Sequence, residues 1–363
     1  MNYKSILNLI GLLLAIFSFA FIPPLIVTFI YKEPLSEIFL YSFLFLISLG
    51  VLMWFISRQK GLPLNISDGF IITTMFWIVL ACAGSIPFYF FGLSFNDAIF
   101  ESVSGITTTG ATLIVGLDDL PKSLLLYRQL LQWIGGMGLI ILAVAVMPAL
   151  GIGGSQLYKM ELPGSHGNQK LTPKITDSAK ALWKIYFGLT LACALLYILS
   201  GMDIFDAIAH SLSTVAGGGF STHDKSIGFF DSGLIEAVCI IFMLLSAASF
   251  AVHYAAIFGG KPLRYFYDSE FRFFLTVVMS IVLITLIFHT ISNSYADILL
   301  TLRASIFHTV SIVTTSGFTT ENFSLWPSFL PYLLLVGAFM GACSQSVGGG
   351  IKTWRVLIML NQA

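Results

Sequence analysis

Charge is what this sequence has least of. Lys, Arg, Asp and Glu supply 10% of its 363 residues, against about 25% in an ordinary soluble domain. Its 18 basic and 18 acidic residues cancel to a formal net charge of zero, so nothing points to a nucleic-acid partner. Cys82, Cys193, Cys239 and Cys343 all lie in apolar runs without a Cys-x-x-Cys pair, which reads as buried thiols rather than a disulfide framework. Catalytic groupings are scarce too. There is no His-Glu-x-x-His and no evident Asp pair, and Ser249 with His253, one helical turn apart, is the nearest approach to a Ser/His set. Gly348-Gly-Gly-Ile-Lys-Thr353 fails as a phosphate loop, because Ile351 separates the last glycine from the lysine.

What fills the chain is apolar sequence, 57% of residues. Charge-free runs between Lys4 and Lys32, Glu37 and Arg58, Arg128 and Lys159, and Glu321 and Lys352 each reach the roughly 20 residues that cross a bilayer. The first is too long for a cleaved leader and lacks an Ala-x-Ala site, so it reads as a true span. Two spans, about 6–30 and 38–57, open the chain, and Pro23 and Pro24 are expected to kink the first.

Against this background the polar run Thr107-Thr-Thr-Gly-Ala-Thr112 stands out, and it has two echoes. Setting Ser104, Ser213 and Ser311 level puts Gly110, Gly219 and Gly317 in one column and Thr112, Ser221 and Thr319 in another. Each loop follows the same order of span, short helix, loop, span. The predicted copies are 69–92, 96–107 and 124–148; 182–200, 203–215 and 233–259; and 273–291, 296–313 and 328–359, with the second and third loops at 216–222 and 314–320. The first short helix, 96–107, is too short to span and reads as a re-entrant half-helix. Asp97-Ala98 matches Asp206-Ala207, and Glu101 shares a column with His210 and His308. Glu101 is expected to support its loop by hydrogen bonding, the two histidines to be satisfied behind theirs, and His253 and His289 to be core residues. Gly135, Gly136 and Gly138 read as helix-packing contacts. Internal repeats in a membrane chain build one site between them. Glycine tolerates positive φ and so lets a loop turn its carbonyls to one side, where they replace an ion's hydration shell.

The last span is interrupted by Gly341-Ala-Cys-Ser-Gln-Ser-Val-Gly-Gly-Gly350. Each glycine there costs about 1 kcal/mol relative to Ala in a helix. Non-helical backbone at membrane depth survives only inside protein or beside a water-filled cavity. A gate below the loops is therefore expected. Arg58, Lys60, Lys159, Lys170, Lys174, Lys261, Arg264, Lys352 and Arg355 fall in alternate connections, which are read as cytoplasmic, with the N-terminus on that side. The loop-bearing connections are richer in acids and should attract cations. The connection 151–180 is long, polar and basic, suiting a cytoplasmic partner.

Residues 107–112 and 132–138, Gly218-Gly-Phe-Ser-Thr-His223, Thr314-Thr-Ser-Gly-Phe-Thr319 and Gly348-Gly-Gly-Ile-Lys352 resemble the Trk/Ktr/HKT superfamily of potassium transporters, most closely its bacterial TrkH branch. The resemblance implies an all-α polytopic membrane protein of repeated span–pore-helix–loop–span units, three of an expected four being present. The expected divisions are 1–60 for two additional spans and 61–150, 151–260 and 261–363 for the repeats. It implies K⁺ uptake across the bacterial inner membrane, a homodimer in the lipid bilayer, and a cytoplasmic nucleotide-binding regulator of the TrkA type.

The filter would comprise Thr107, Thr108, Thr109, Gly110 and Ala111; Gly217, Gly218, Gly219 and Phe220; and Thr314, Thr315, Ser316, Gly317 and Phe318. K⁺ would be held through Thr108, Thr109, Gly218, Thr315 and Ser316. The gate would comprise Gly341, Ala342, Cys343, Ser344, Gln345, Ser346, Gly348, Gly349, Gly350 and Lys352. Gly217 stands where the family more often has a larger apolar residue, making that loop more pliable, and Gln345 and Val347 depart from small residues. A fourth loop and its pore-facing arginine are not in this sequence. The expectation is a fragment of a longer protein, or a fourth quarter supplied by a second polypeptide, without which no selective pore forms. A Na⁺-permeable transporter, a non-conducting subunit and an intramembrane enzyme stay open as alternatives.

Overall fold

The computed structural model describes residues 3–58, 66–138, 175–295 and 297–362, and every regular element among them is helical. In chain order these are α1 (Tyr3–Ser18), α2 (Ile22–Tyr31), α3 (Ser36–Ile56), α4 (Ile66–Gly84), α5 (Ile86–Phe91), α6 (Phe95–Ile106) and α7 (Lys122–Gly136). Then come α8 (Ile175–Leu199), α9 (Ile204–Ala216), α10 (Gly233–Ala247), α11 (Phe250–Ile257), α12 (Arg264–Tyr267), α13 (Ser269–Ile291), α14 (Ile298–Val313), α15 (Leu330–Met340) and α16 (Thr353–Gln362). Among the described residues, five helical stretches are long and apolar enough to cross a membrane: Tyr3–Tyr31, Ser36–Ile56, Asp68–Phe91, Lys180–Leu199 and Ser269–Ile291. Large apolar side chains such as Phe29, Phe55, Met279 and Val336 stand exposed along these and neighbouring helices, as a hydrocarbon solvent permits. The chain divides into two units, one holding α1–α7 and the other running from Ala181, within α8, onward.

In the first unit, where a kink was expected, a 3₁₀ turn at Phe19–Phe21 places Pro23 and Pro24 in the first turn of α2, where a missing N–H is tolerated, and Tyr3–Tyr31 remains one span. Helices α1 and α3 approach closely through glycine. A Cβ at Gly11 would lie 2.8 Å from the Gly50 carbonyl oxygen, and Asn8 Nδ2 donates to the Trp54 carbonyl at 2.9 Å. Small residues let helix backbones meet in lipid. Beyond α2, the Glu33 carboxylate accepts the amides of Lys122 (2.6 Å) and Ser123 (3.1 Å). It thereby satisfies orphan donors at the positive end of α7. Tyr127 of α7 is buried among Phe21, Phe39 and Phe88, and its hydroxyl donates to the Gly84 carbonyl at 2.7 Å.

The three short helices start alike. Ser94 Oγ accepts the Asp97 amide, Asp203 Oδ2 the Phe205 amide and Asp297 Oδ1 the Leu299 amide, the N-cap role that Ser and Asp fill best. In the second unit, Tyr197 of α8 meets Thr214 of α9, hydroxyl to hydroxyl at 2.9 Å. Two predicted spans are broken. The 328–359 span divides into α15 and α16, as expected from its glycines. The 233–259 span, expected to be continuous, bends by 104° between α10 and α11. The physical reason lies in its neighbour. The Ala247 carbonyl accepts the Cys343 amide (3.0 Å), and the Phe250 amide donates to the Gln345 carbonyl (2.9 Å), so bonds that would continue the helix are made to another segment. Of the predicted 124–148 span, residues 139–148 lie outside the described residues, as do 151–174 of the basic connection.

Candidate functional site

The three polar loops share one backbone. The carbonyls of Ser104, Ser213 and Ser311, closing α6, α9 and α14, accept the amides of Thr109 (2.9 Å), Gly218 (3.1 Å) and Ser316 (2.9 Å). Thr108, Gly217 and Thr315 then hold positive φ of 55°, 66° and 62°, and Gly110, Gly219 and Gly317 hold 78°, 76° and 84°. Left-handed residues thus alternate with others at the same two places in every copy. A β-branched residue there is an outlier, and such strain persists only where the surroundings over-determine it. Gly217 takes without strain the conformation that Thr108 and Thr315 take with it. Side chains repeat as well. Ser104 Oγ donates to the Ala111 carbonyl and Ser311 Oγ to the Phe318 carbonyl, both at 2.6 Å. Thr107 pairs with Thr109 through hydroxyls at 2.8 Å, as Thr314 does with Ser316 at 3.0 Å.

Behind each loop a polar side chain of the short helix meets the chain segment that leaves it. The Thr112 hydroxyl donates to the Glu101 carboxylate, and Arg128 Nη2 reaches Glu101 Oε1 at 3.2 Å and Thr112 Oγ1 at 2.8 Å. The Glu101 and Arg128 side chains have no solvent exposure. His210 meets Ser221 Oγ at 2.9 Å through Nε2 and the Asp206 carbonyl at 2.8 Å through Nδ1. His308 lies 3.1 Å from the Ala304 carbonyl and 3.3 Å from the Glu321 carbonyl. From the sequence, Arg128 marks only the edge of a charge-free run; its one signal is an arginine inside the predicted 124–148 span. Gly135 of α7 backs the same loop, since a Cβ there would lie 1.9 Å from the Ile106 carbonyl oxygen.

In the second unit the second and third loops lie backbone to backbone. A Cβ at Gly219 would sit 2.0 Å from the Ser316 carbonyl oxygen, whereas one at Gly317 would meet nothing within 4 Å. The Gly228 amide donates to the Thr319 carbonyl (3.1 Å), and the Thr319 amide to Ser226 Oγ (3.2 Å). At the rim, Arg303 of α14 forks onto Glu236 of α10 at 2.7 and 2.8 Å and reaches Asp231 at 3.3 Å.

The glycine-rich break touches the third loop directly. The Gly349 amide donates to Thr315 Oγ1 at 2.7 Å, and a Cβ at Gly348 would lie 2.9 Å from the Thr314 carbonyl oxygen. Val347 Cγ2 would lie 3.8 Å from a Cβ at Gly217. The break is a closed neck, for a Cβ at Gly341 would lie 2.2 Å from the Gly349 carbonyl oxygen. Lys352 Nζ folds back to the Ser346 carbonyl at 3.4 Å and to the Gly348 carbonyl.

The model of one protein family, TrkH, described as a cation transport protein, matches residues 35–363. The potassium uptake protein TrkH of Vibrio parahaemolyticus is 47% identical over 367 residues, covering all of this chain and 76% of the relative. The TrkH of Escherichia coli K12 is 45% identical, with the same coverage, and the TrkG of that strain is 40% identical, with 75% of it covered. The chain thus spans about three quarters of the length of these relatives. A crystal structure of the potassium transporter TrkH from V. parahaemolyticus superposes with a TM-score of 0.89 at 46% identity, over all of this chain and 75% of that one.

Proposed function

Because this chain belongs to the TrkH family of cation transport proteins, and so is a transporter rather than an enzyme, we propose that it carries K⁺ inward across the bacterial inner membrane. Carbonyls around Gly110, Gly219 and Gly317 form the filter, with K⁺ held through Thr108, Thr109, Gly218, Thr315 and Ser316. The observation carrying this reading is the pair of left-handed residues at the same two places in all three loops. Alternating handedness turns successive peptide planes so that carbonyls share one side, which is what an ion stripped of water needs. The segment 341–352 is the gate, the repeats 61–150, 151–260 and 261–363 are the working units, and residues 1–60 are an added pair of spans. The N-terminus is cytoplasmic, the protein works as a homodimer, and a TrkA-type nucleotide-binding regulator docks on 151–180.

The test is K⁺/Na⁺ competition in flux assays on the complete gene product with each filter glycine changed to serine. Every variant is expected to lose K⁺ preference. Gly219→Ser is expected to be the most damaging, because its Cβ meets backbone. Gly317→Ser has room and adds only backbone strain of about 1–2 kcal/mol. Unchanged discrimination in all three variants would overturn the filter assignment.

A further inference from the structure

The gate reading leaves one buried acid without a role. Glu270 lies in the first turn of α13, whose own start is already capped by Asp268, which accepts the Phe271 amide at 2.9 Å. Its Oε1 instead accepts two amides from the broken span, Ser344 at 2.5 Å and Trp354 at 3.1 Å. Ser344 is on the arm of the neck that follows α15, and Trp354 is in the first turn of α16. One oxygen atom therefore ties both arms to a helix that is not part of the neck.

The remaining bonds of this segment separate into two sets. One set closes the neck on itself: the Thr353 amide to the Ala342 carbonyl (3.0 Å), the Thr353 hydroxyl to the Gly341 carbonyl (3.1 Å) and the Ala342 amide to the Gly349 carbonyl (3.2 Å). These can travel with the neck if it moves as a body. The other set holds it to its surroundings: Gly349 to Thr315 on the loop side, Cys343 and Gln345 to the bend between α10 and α11, and Glu270. Glu270 is the one charged acceptor in that second set, and hydrogen bonds to charged groups are the stronger kind. The neck also contains Gln345 and Lys352 at φ of 58° and 78°. Such residues relax unless the surroundings hold them.

We infer that Glu270 is a positioning residue that holds the neck in its resting place, so that its two bonds must break or lengthen for the segment to move. This rests on the reading of 341–352 as a gate, and it assigns to Glu270 neither ion binding nor selectivity.

The experiment uses the full-length protein in cells lacking other K⁺ uptake, with Rb⁺ flux measured without the regulator. Glu270→Ala is expected to raise that flux at least about tenfold, since two hydrogen bonds to a charged group are lost, with the K⁺/Na⁺ ratio unchanged. Glu270→Asp keeps the charge but shortens the reach, and is expected to act the same way; it decides the matter should the alanine variant not accumulate. Glu270→Gln keeps an acceptor oxygen but not the charge, and is expected to give a flux between the parental and alanine values. The buried Cys343 thiol, next to Ser344, supplies an independent readout. Its modification by a membrane-permeant thiol reagent, followed by peptide mass, should quicken in the alanine and aspartate variants. A parallel deletion within 341–350 separates the two readings. If the deletion raises flux while the alanine and aspartate variants stay at the parental level, this inference is overturned. If the deletion leaves flux unchanged, the gate reading falls and this inference with it.

Discussion

At the scale of single residues, Glu101 and Arg128 are the pair on which the first loop leans. Both side chains are fully buried and share Thr112. Removing one member of a buried ion pair leaves the other charge uncompensated, at about 3–5 kcal/mol, whereas removing both together costs much less. Glu101→Gln and Arg128→Met are each expected to lower the thermal unfolding midpoint in detergent, and the double variant to recover much of the loss. Additive losses would show that the two side chains act independently. Glu101 was legible as a supporting acid because a carboxylate near membrane depth is costly unless paired. Arg128 was not, because its role depends on a partner in another helix, which no local pattern announces. The strain at Thr108 and Thr315 was equally hidden. Only Gly217, in their column, hinted that a left-handed residue belonged there.

At the scale of elements, the sequence made the recurring order of span, short helix and loop visible through its three serines and three glycines, while the helix starts set by the caps Ser94, Asp203 and Asp297 emerge only in the structure. The break before α16 was legible because glycine destabilises a helix by itself. The bend between α10 and α11 was not, since Ser246-Ala-Ala-Ser249 contains neither Gly nor Pro. That bend exists because Cys343 and Gln345 take bonds the helix would otherwise make internally. Without that segment the unpaired groups would face hydrocarbon, at several kcal/mol each, and a straight helix is the better solution. A chain ending before residue 341 is therefore expected to straighten over 233–257. Spin labels at the exposed Leu234 and Ile257 should then approach the ~35 Å of an unbroken helix. A separation equal to that in the full chain would mean that the bend is intrinsic.

At the scale of the whole molecule, surface charge is sparse enough that its placement carries information. Lys159, Lys170 and Lys174 fall in the long basic connection 151–180, and an interaction resting on charges in water weakens with salt. Co-purification with a TrkA-type partner is expected to fall as ionic strength rises, and to fall further when the three lysines are neutralised together. Retention unaffected by either change would move the contact elsewhere. The all-helical membrane architecture was readable from composition and run length alone, because a bilayer imposes both.

The glycine crossing of α1 and α3 has a bearing on the order of events during folding. The Asn8–Trp54 bond joins residues 46 apart, whereas the Glu33 bonds to α7 join residues 89 and 90 apart. The entropy of closing a loop grows with its length, and shorter-range contacts are made sooner. The opening hairpin is therefore expected to assemble first and to offer the Glu33 carboxylate to the helix that arrives later. The two spans outside the repeat pattern are thereby expected to serve as a template for the first copy.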